Sequence, residues 1–289
     1  MQRSVVIALF CIYIIWGATN IGNRVASESF PPFLLLGFRL LLATIFLMGY
    51  LKFRGVPFPS ERLILNAMVI GALMFGGRAA FLAFARSQGV GAGLLGIGVA
   101  TIPLWAMMFA LIFGYRPGRL EILGLIVGIV GIALLNIGNT MQFQVAGILA
   151  LLFAPMTWAF ASYYRTEIAM PRGFMATAFH MLGGCITLLA LSVATGEQLT
   201  SAPSLQSTMA FLFLSLPGTL IAFSAYTYLL DTVTPGLATS YAYVNPVVAV
   251  IFDAMLSGVR LQPAGIAAMV VIAVSVVLVM VGKSQATDV

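Results

Sequence analysis

Charged side chains are scarce in this sequence: Asp, Glu, Lys and Arg make up only 8% of its 289 residues, whereas 61% are hydrophobic. A water-soluble protein needs far more polar side chains to cover its surface. This shortage excludes a soluble globular protein and predicts a chain that has lipid as its solvent. The 29 glycines and 13 prolines fit this prediction, because helices in membranes tolerate both residues.

Cysteine and histidine are almost absent, with Cys11, Cys185 and His180 as the only examples. No CxxC motif or Cys/His cluster is present, so we predict neither a metal nor another cofactor, and we interpret both cysteines as packing residues. The 14 basic residues are scattered and form no basic stripe, which argues against a nucleic-acid partner.

Long apolar runs account for most of the chain. A helix needs about 20 residues to cross the hydrocarbon core of a bilayer, and ten runs of about this length are bounded by charges, Gly or Pro. They cover residues 4–22, 33–51, 63–85, 91–114, 120–138, 145–164, 174–195, 209–230, 237–256 and 263–282. We therefore predict an all-α membrane protein with ten transmembrane helices, the bilayer as its surroundings and no soluble domain.

The basic residues of the short connections predict the orientation. With a cytoplasmic N-terminus, one side collects Arg3, Lys52, Arg54, Arg62, Arg116, Arg119, Arg165, Arg172 and Lys283. The other side collects Arg24, Arg86 and Arg260. Because Lys and Arg accumulate in cytoplasmic loops, both termini are predicted to be cytoplasmic.

The two halves of the sequence show weak internal similarity. Trp16 recurs as Trp158, residues 81–84 (FLAF) recur as 223–226 (FSAY), and the segment that ends at Pro103 recurs one position out of register in the segment that ends at Pro246. We predict two five-helix repeats, residues 1–142 and 143–289. Because five is an odd number, the second repeat must enter the membrane from the opposite side. Inverted repeats of this kind enable alternating access to a site near the bilayer midplane.

Several of these motifs, in this order, resemble the EamA-type fold of the drug/metabolite transporter superfamily. They are Trp16-Gly17, Trp158-Ala159, FLAFA at 81–85, the small-residue helix with Pro103, and GLIVGIVGIALL at 124–135. The likeness is greatest to the YddG-type exporters of aromatic and other amino acids. It implies a multi-pass protein of the inner membrane that exports small molecules. One departure is that Tyr115 and Arg116 follow Gly114, where many members of the superfamily have a Glu.

Pro103 and Pro246 are candidate site residues because each lies deep in a predicted membrane helix. A proline leaves the carbonyl four residues earlier, on Val99 or Ala242, without its helical partner. Such a carbonyl can accept a hydrogen bond from a substrate ammonium group. The alternative is a kink that only shapes the packing.

Trp16 and Trp158 are the next candidates, because they occupy matching positions well inside their helices rather than at the membrane interface. We predict that both line a central cavity. Trp105 follows Pro103 by two residues and joins the wall of this cavity if the helix kinks there.

Arg78 lies within a predicted span and shares a helix face with Phe81. Burial of a charge in the bilayer is costly without a partner, so Arg78 is predicted either to bind a substrate carboxylate or to pair with Asp253. Arg39, also within a span, is predicted to have a structural role.

His180 is a candidate for proton coupling, although a lone buried histidine is more often a packing residue. Four tyrosines and an asparagine lie in the most amphipathic part of the second half, namely Tyr226, Tyr228, Tyr241, Tyr243 and Asn245. Hydroxyl and amide groups prefer a wet lining to lipid tails, so we expect some of them to face the site.

These observations favour a secondary transporter that exports amino acids and related metabolites, and whose substrate is its small-molecule partner. No ATP-binding P-loop is present, so an ion or solute gradient must supply the energy. A membrane enzyme would need a nucleophile with a base, a metal cluster or an acid pair. A channel would need charge rings or a filter loop. The oligomeric state, including a monomer, is left open, since the GxxxG at Gly124 and Gly128 fits a contact within or between chains.

Overall fold

The computed structural model describes residues 2–135, 145–257 and 263–282, and all regular structure in these ranges is helical. The bounds of the α-helices and of the two π-helical segments, π1 and π2, are α1 Arg3–Ala26, α2 Pro32–Phe53, α3 Glu61–Gly71, π1 Ala72–Gly77, α4 Arg78–Ser87, α5 Ala92–Ala100, α6 Ile102–Ile112, α7 Arg119–Leu135, α8 Val145–Tyr164, α9 Phe174–Ala194, α10 Leu205–Ser215, π2 Leu216–Ile221, α11 Ala222–Thr232, α12 Pro235–Thr239, α13 Tyr241–Ser257 and α14 Pro263–Gly282. The prediction of an all-α fold is confirmed for these residues.

Nine helical stretches within the described ranges are long and apolar enough to cross a membrane. They are Arg3–Ala26, Pro32–Phe53, Glu61–Ser87, Leu94–Ile112, Val145–Tyr164, Phe174–Ala194, Leu205–Thr232, Pro235–Phe252 and Gly265–Gly282. Each stretch overlaps one predicted span. The remaining predicted span, 120–138, overlaps α7, which has 17 residues, and residues 136–138 lie outside the described ranges. Ten spans therefore stay a prediction.

Two of the long helices contain a π-helical segment of six residues. Gly76 and Gly77 close π1, and Pro217 and Gly218 lie in π2. Glycine and proline both weaken a regular α-helix, which is a physical reason for the change of helix type at these places. The two segments begin at 72 and 216, and each occupies the middle of the third long helix of its half of the chain.

The fourth and ninth predicted spans each contain a helix break, but the two breaks lie at different distances from Pro103 and Pro246. Thr101 separates α5 from α6, and Pro103 follows in the first turn of α6, where a missing N–H has no cost. In the ninth span the break is at Ser240, and Pro246 lies inside the continuous helix α13. The predicted matching of the two proline sites is thus only approximate.

The helix directions follow from contacts at the helix ends. The Oγ of Ser4 lies 2.8 Å from the hydroxyl of Tyr228, which joins the start of α1 to the end of α11. Ser207 Oγ donates to the carbonyl of Val25 at 3.0 Å, which joins the end of α1 to the start of α10. We call the end of the bundle with Ser4 and Tyr228 the N-terminal face and the end with Val25 and Ser207 the opposite face. Because Arg165, just after α8, contacts the residues beside Tyr228, α8 ends on the face where α1 begins.

The contacts between helices in one half of the chain have counterparts in the other half. α1 packs against α11 and α13, while α8 packs against α4 and α6; α2 packs against α9, and α7 against α14. Glycines allow the closest approaches, since a Cβ atom at Gly71 would overlap the backbone of His180. A Cβ atom at Gly124 would lie 2.8 Å from the Ser275 carbonyl of α14, and one at Gly128 would lie 2.6 Å from the Tyr243 ring. The GxxxG motif therefore makes a contact within the chain.

Candidate functional site

Six aromatic side chains from both halves meet in the middle of the bundle. We call this group the aromatic cluster, and its members are Trp16 of α1, Phe75 of π1, Trp158 of α8, Phe223 and Tyr226 of α11, and Tyr241 of α13. The ring centroids of Trp16 and Tyr241 are 4.7 Å apart, and those of Trp158 and Tyr226 are 5.6 Å apart. Such distances are typical of favourable aromatic pairs. The ring centroids of Trp16 and Trp158, the two tryptophans at matching repeat positions, are 6.2 Å apart.

A chain of hydrogen bonds connects the aromatic cluster to polar side chains. Trp158 Nε1 donates to the Tyr226 hydroxyl at 3.0 Å, and this hydroxyl donates to Ser162 Oγ at 2.8 Å. Ser162 Oγ in turn donates to the carbonyl of Trp158 at 2.6 Å. Because the polar atoms of these buried side chains are satisfied by one another, the network holds the rings in fixed orientations.

The second indole is held by the π-helical segment. Trp16 Nε1 donates to the carbonyl of Gly218 in π2 at 2.8 Å. A π segment displaces backbone carbonyls from regular helical hydrogen bonding, and such segments occur often at functional sites. The Gly218 carbonyl therefore ties α1 of the first half to the third long helix of the second half.

Arg78 lies beside the aromatic cluster at the end of π1. Its guanidinium carbon is 5.5 Å from the centroid of Trp158, which is the geometry of a cation–π contact. In the described part of the chain, Nε of Arg78 has no hydrogen-bond partner. The side chain of Asp253, the predicted alternative partner, lies outside what the structure describes. The position of Arg78 leaves donors for an anionic group next to the aromatic rings.

Arg39 has the partners expected of a structural residue. Its guanidinium donates to Asn23 Oδ1 at 2.9 Å and to Thr219 Oγ1 at 3.2 Å. Thr219 belongs to π2, so this contact also joins the two halves of the chain. The predicted structural role of Arg39 fits these hydrogen bonds.

A polar cavity of about 790 Å³ opens on the N-terminal face and reaches Ser162 of the network. We call it the vestibule. Residues from α6, the end of α8, the loop after it, the end of α11 and α12 line it, including Tyr115, Arg165, Arg172 and Asp231. Arg165 Nη1 donates to Asp231 Oδ1 at 2.7 Å in an ion pair. The vestibule leads from one face of the bundle to the polar edge of the aromatic cluster.

Tyr115 also marks the departure from the superfamily pattern. Its hydroxyl donates to Glu121 Oε2 at 2.9 Å. The carboxylate of Glu121, in the first turn of α7, therefore lies next to the place in the chain where many members of the superfamily have a Glu. Burial, followed by the nearby charge of Glu121, raises the pKa of the Tyr115 hydroxyl above its ordinary value. Tyr115 therefore stays a neutral donor to this carboxylate.

Among the other predicted site residues, only Tyr241 belongs to the aromatic cluster. Phe81 stacks on Phe153 at 5.4 Å in a separate small core, and Tyr243 donates to the carbonyl of Leu125 at 3.0 Å, against α7. With its amide oriented to donate, Asn245 lies 3.2 Å from backbone carbonyls of α1. These three residues have local packing partners that account for their positions.

Four further predicted residues lie at other places in the bundle. Pro103 is buried in α6, Trp105 is half-buried at the edge of the main core, and Pro246 lies inside α13. His180 is fully buried in α9, 6.3 Å from Phe223 between ring centroids. Neither of its ring nitrogens has a hydrogen-bond partner among the described residues.

Sequence reasoning did not select Phe75, Phe223 or Ser162 as site residues, and it named Tyr226 only within the group of tyrosines of which some were expected to face the site. The repeat of residues 81–84 at 223–226 did point to Phe223 and Tyr226, but equally to Phe81, which packs elsewhere. Ser162 follows Trp158 by one helical turn, and this spacing was the available signal. Phe75 had no distinguishing signal, since it is one of 21 phenylalanines.

The profile of the EamA-like transporter family matches residues 3–137 and, a second time, 145–281. The chain therefore belongs to the EamA-like transporter family. The Escherichia coli K12 protein named "Uncharacterized inner membrane transporter YedA" is 41% identical over 276 residues, which are 96% of this chain and 90% of that protein. The Bacillus subtilis protein named "Uncharacterized transporter YdfC" is 26% identical and covers 83% of this chain and 78% of its own length.

A solved crystal structure shows the same fold, with a TM-score of 0.77 at 20% sequence identity over 99% of this chain and 97% of that chain. Together with the apolar helices and the inner-membrane relative, the family assignment identifies a multi-pass protein of the inner membrane. The family and the names of its relatives indicate a transporter rather than an enzyme.

Proposed function

We propose that this protein is a secondary transporter that exports amino acids, aromatic and other mostly neutral ones, and related small metabolites by alternating access. The observation that carries the proposal is the vestibule, which is open to one face of the bundle and reaches Ser162, the hydrogen-bond partner of Tyr226 in the aromatic cluster. Both halves of the chain contribute to this cluster. A site of that kind is expected where two repeats meet.

Two inverted repeats, residues 1–142 and 143–289, supply the mechanical part of the proposal. Three observations support them: the family profile matches twice, π1 and π2 occupy corresponding helices, and α8 ends on the face where α1 begins. Repeats with opposite directions can exchange conformations, so that the face that is open in one state is closed in the other. With both termini in the cytoplasm, the vestibule opens to the cytoplasm, as an exporter needs for loading.

Substrate recognition is assigned to the rings of the aromatic cluster and to Arg78. Trp16, Trp158 and Tyr241 offer flat apolar surfaces, which suit aromatic and other apolar side chains. The guanidinium of Arg78 can bind a carboxylate through two hydrogen bonds. Pro246 has no N–H to donate to the carbonyl of Ala242 in α13, so we assign this carbonyl as an acceptor for the ammonium group.

Transport by Arg78 variants tests this proposal directly. In liposomes that contain the purified protein and an internal amino acid, exchange of labelled amino acid is expected to fall to background with Arg78→Ala, and Arg78→Lys is expected to restore only part of it. Arg86→Ala is the matched control, because Arg86 lies exposed on the same helix. Unchanged exchange by a folded Arg78→Ala protein would reject the carboxylate role, and no exchange of any amino acid by the wild type would reject the substrate class.

Proton coupling through His180 stays a separate proposal. The imidazole is fully buried next to Phe223 of the aromatic cluster, so a proton on it would act directly on the site. If His180 couples transport to protons, His180→Gln is expected to abolish the stimulation of export by a pH gradient while exchange without a gradient continues. Equal stimulation of the wild type and of His180→Gln would show that the histidine is a packing residue.

A further inference from the structure

A second cavity of about 930 Å³ lies between α1, α2, α9 and α11, and we call it the lateral groove. Along most of its length the lining is apolar, with Ile7, Phe46, Phe174 and Ile221 among its residues. Each of these four side chains is at least half exposed on the surface of the bundle. In a membrane, the groove is therefore open to the hydrocarbon of the bilayer rather than to water.

The lateral groove has the depth of one leaflet. Along α11 and the end of π2 its lining runs from Asp231 at the N-terminal face to Leu220. Eleven helical steps at 1.5 Å per residue correspond to about 16 Å, roughly half of the hydrocarbon thickness. Its volume lies near the upper end of the range for small-molecule sites, about 300 to 1,000 Å³. An acyl chain that enters from the N-terminal face can thus lie along the whole groove.

The polar residues of the lateral groove are concentrated at its end on the N-terminal face. Ser4, Tyr228 and Asp231 lie there, whereas Cys11 and Leu220 lie at the deep end. The Ser4 and Tyr228 hydroxyls, 2.8 Å apart, retain further capacity to donate or accept. This gradient from polar to apolar matches a molecule with a polar head and a long apolar tail.

The basic residues at the end of the lateral groove on the N-terminal face, which we call its mouth, favour an anionic head group. Arg3, Lys52 and Arg172 are exposed and lie within two residues of the lining residues Ser4, Tyr50 and Gly173. The carboxylate at the mouth, Asp231, is already paired with Arg165 at 2.7 Å. The mouth is therefore positively charged overall. Basic sites between transmembrane helices on the cytoplasmic side bind anionic phospholipids.

We propose that the lateral groove is a binding site for one anionic phospholipid of the bilayer, with an acyl chain along α11 and the phosphate among Arg3, Lys52 and Arg172. The opposite side of α11 carries Phe223 and Tyr226 of the aromatic cluster. A lipid bound in the groove therefore packs against the back of the helix that shapes the site. This binding does not depend on the identity of the transported substrate.

Native mass spectrometry with two lipids tests the proposal. The full-length protein in detergent is mixed with phosphatidylglycerol or with phosphatidylcholine of the same acyl chains, and the bound lipid is counted as the activation energy rises. One phosphatidylglycerol is expected to stay bound where phosphatidylcholine is lost. Equal retention of the two lipids would overturn the proposed selection by charge.

Two pairs of variants locate the lipid. Ser224→Trp on α11 and Cys11→Trp on α1 fill the groove from opposite walls and are expected to remove the retained phosphatidylglycerol, whereas Val270→Trp on the exposed side of α14 is not. Arg3→Gln with Lys52→Gln is expected to weaken phosphatidylglycerol binding about thirtyfold, since each cation near the surface contributes about 1 kcal/mol. The control with the same charge change is Arg116→Gln with Arg119→Gln, at the start of α7.

A direct reporter of the position is Cys11. In a Cys185→Ala protein, phosphatidylglycerol is expected to slow the reaction of Cys11 with a maleimide, and phosphatidylcholine is not. Retention of phosphatidylglycerol by both folded tryptophan variants, or unprotected Cys11 at saturating lipid, would overturn the groove as its site. Elution of each variant as the same species as the wild type on size exclusion establishes that it is folded.

Discussion

The two faces of the bundle differ in how their helix ends are joined. On the opposite face, the carboxylate of Glu197 accepts hydrogen bonds from the backbone N–H groups of Phe33 at 3.1 Å and Leu34 at 2.8 Å, and Ser29 Oγ donates to Ser207 Oγ at 3.0 Å. On the N-terminal face, the vestibule of about 790 Å³ lies between the ends of α6, α8 and α11 and the short helix α12. Hydrogen bonds between the halves occur on both faces, since Ser4 contacts Tyr228 on the N-terminal face, but the N-terminal face also contains a cavity that can admit a solute.

The contacts that hold the opposite face all join the first half of the chain to the second. Glu197 follows α9 and binds the start of α2, while Ser29 follows α1 and binds α10. A typical hydrogen bond contributes about 1 kcal/mol net, so these contacts together contribute a few kcal/mol. Ligand binding can shift an equilibrium by that amount. The difference between the faces therefore fits one end state of a reversible change.

The largest effect is expected when the opposite face is fixed in its closed form. Ser29→Cys with Ser207→Cys, in a protein with Cys11→Ser and Cys185→Ala, places two thiols where hydroxyl oxygens are 3.0 Å apart. Oxidation should join them, because the side chains already meet. Exchange in liposomes is expected to fall to background and to return with a reductant. Transport that continues in the fully oxidised protein would show that this face need not open.

Tyr226→Phe is expected to have the next largest effect, because it cuts the network between the vestibule and the aromatic cluster. The Trp158 N–H, on a side chain only 5% exposed, loses the partner that it has in the structure. A buried donor without a partner costs about 1–3 kcal/mol, so a lower denaturation temperature and weaker substrate binding are expected. Tyr228→Phe is the control, because its bond to Ser4 is exposed. Equal effects of the two variants would contradict a role for the network.

Glu197→Gln should weaken the closed opposite face by a smaller amount. The hydrogen bonds to the start of α2 lose their negative charge, a change of about 1 kcal/mol, or roughly a fivefold shift toward the state in which this face is open. Spin labels at Glu28→Cys and Gln206→Cys, in a protein without the native cysteines, would report it as a larger fraction of long distances. Glu167→Gln, near the N-terminal face, is the matched control and is expected to leave the distances unchanged.

The sequence predicted the membrane class and the helices well because both depend on local composition. Runs of apolar residues between charges suffice to locate spans, and the Trp16 and Trp158 positions followed from a repeat that is visible in the sequence. The contacts that define the site are different in kind. Tyr226 joins the cluster while Tyr243 packs against Gly128, and only the way in which distant helices approach each other decides this. The π segments were missed because a glycine or proline in an apolar run also fits a simple kink.

The smallest effect is expected at the mouth of the vestibule, where Asp231 is 48% exposed and pairs with Arg165, which is 5% exposed. In Asp231→Asn the amide oxygen can still accept from Arg165, which also donates to the Thr227 carbonyl at 3.3 Å. Because the Asp231 carboxylate is half exposed and the amide keeps one hydrogen bond to Arg165, a small decrease in denaturation temperature is expected, and it should shrink further in high salt. Because the N-terminal face is open in this state, the distances between labels at residues 28 and 206 on the opposite face should not change. A shift of those distances would show that the ion pair couples the two faces.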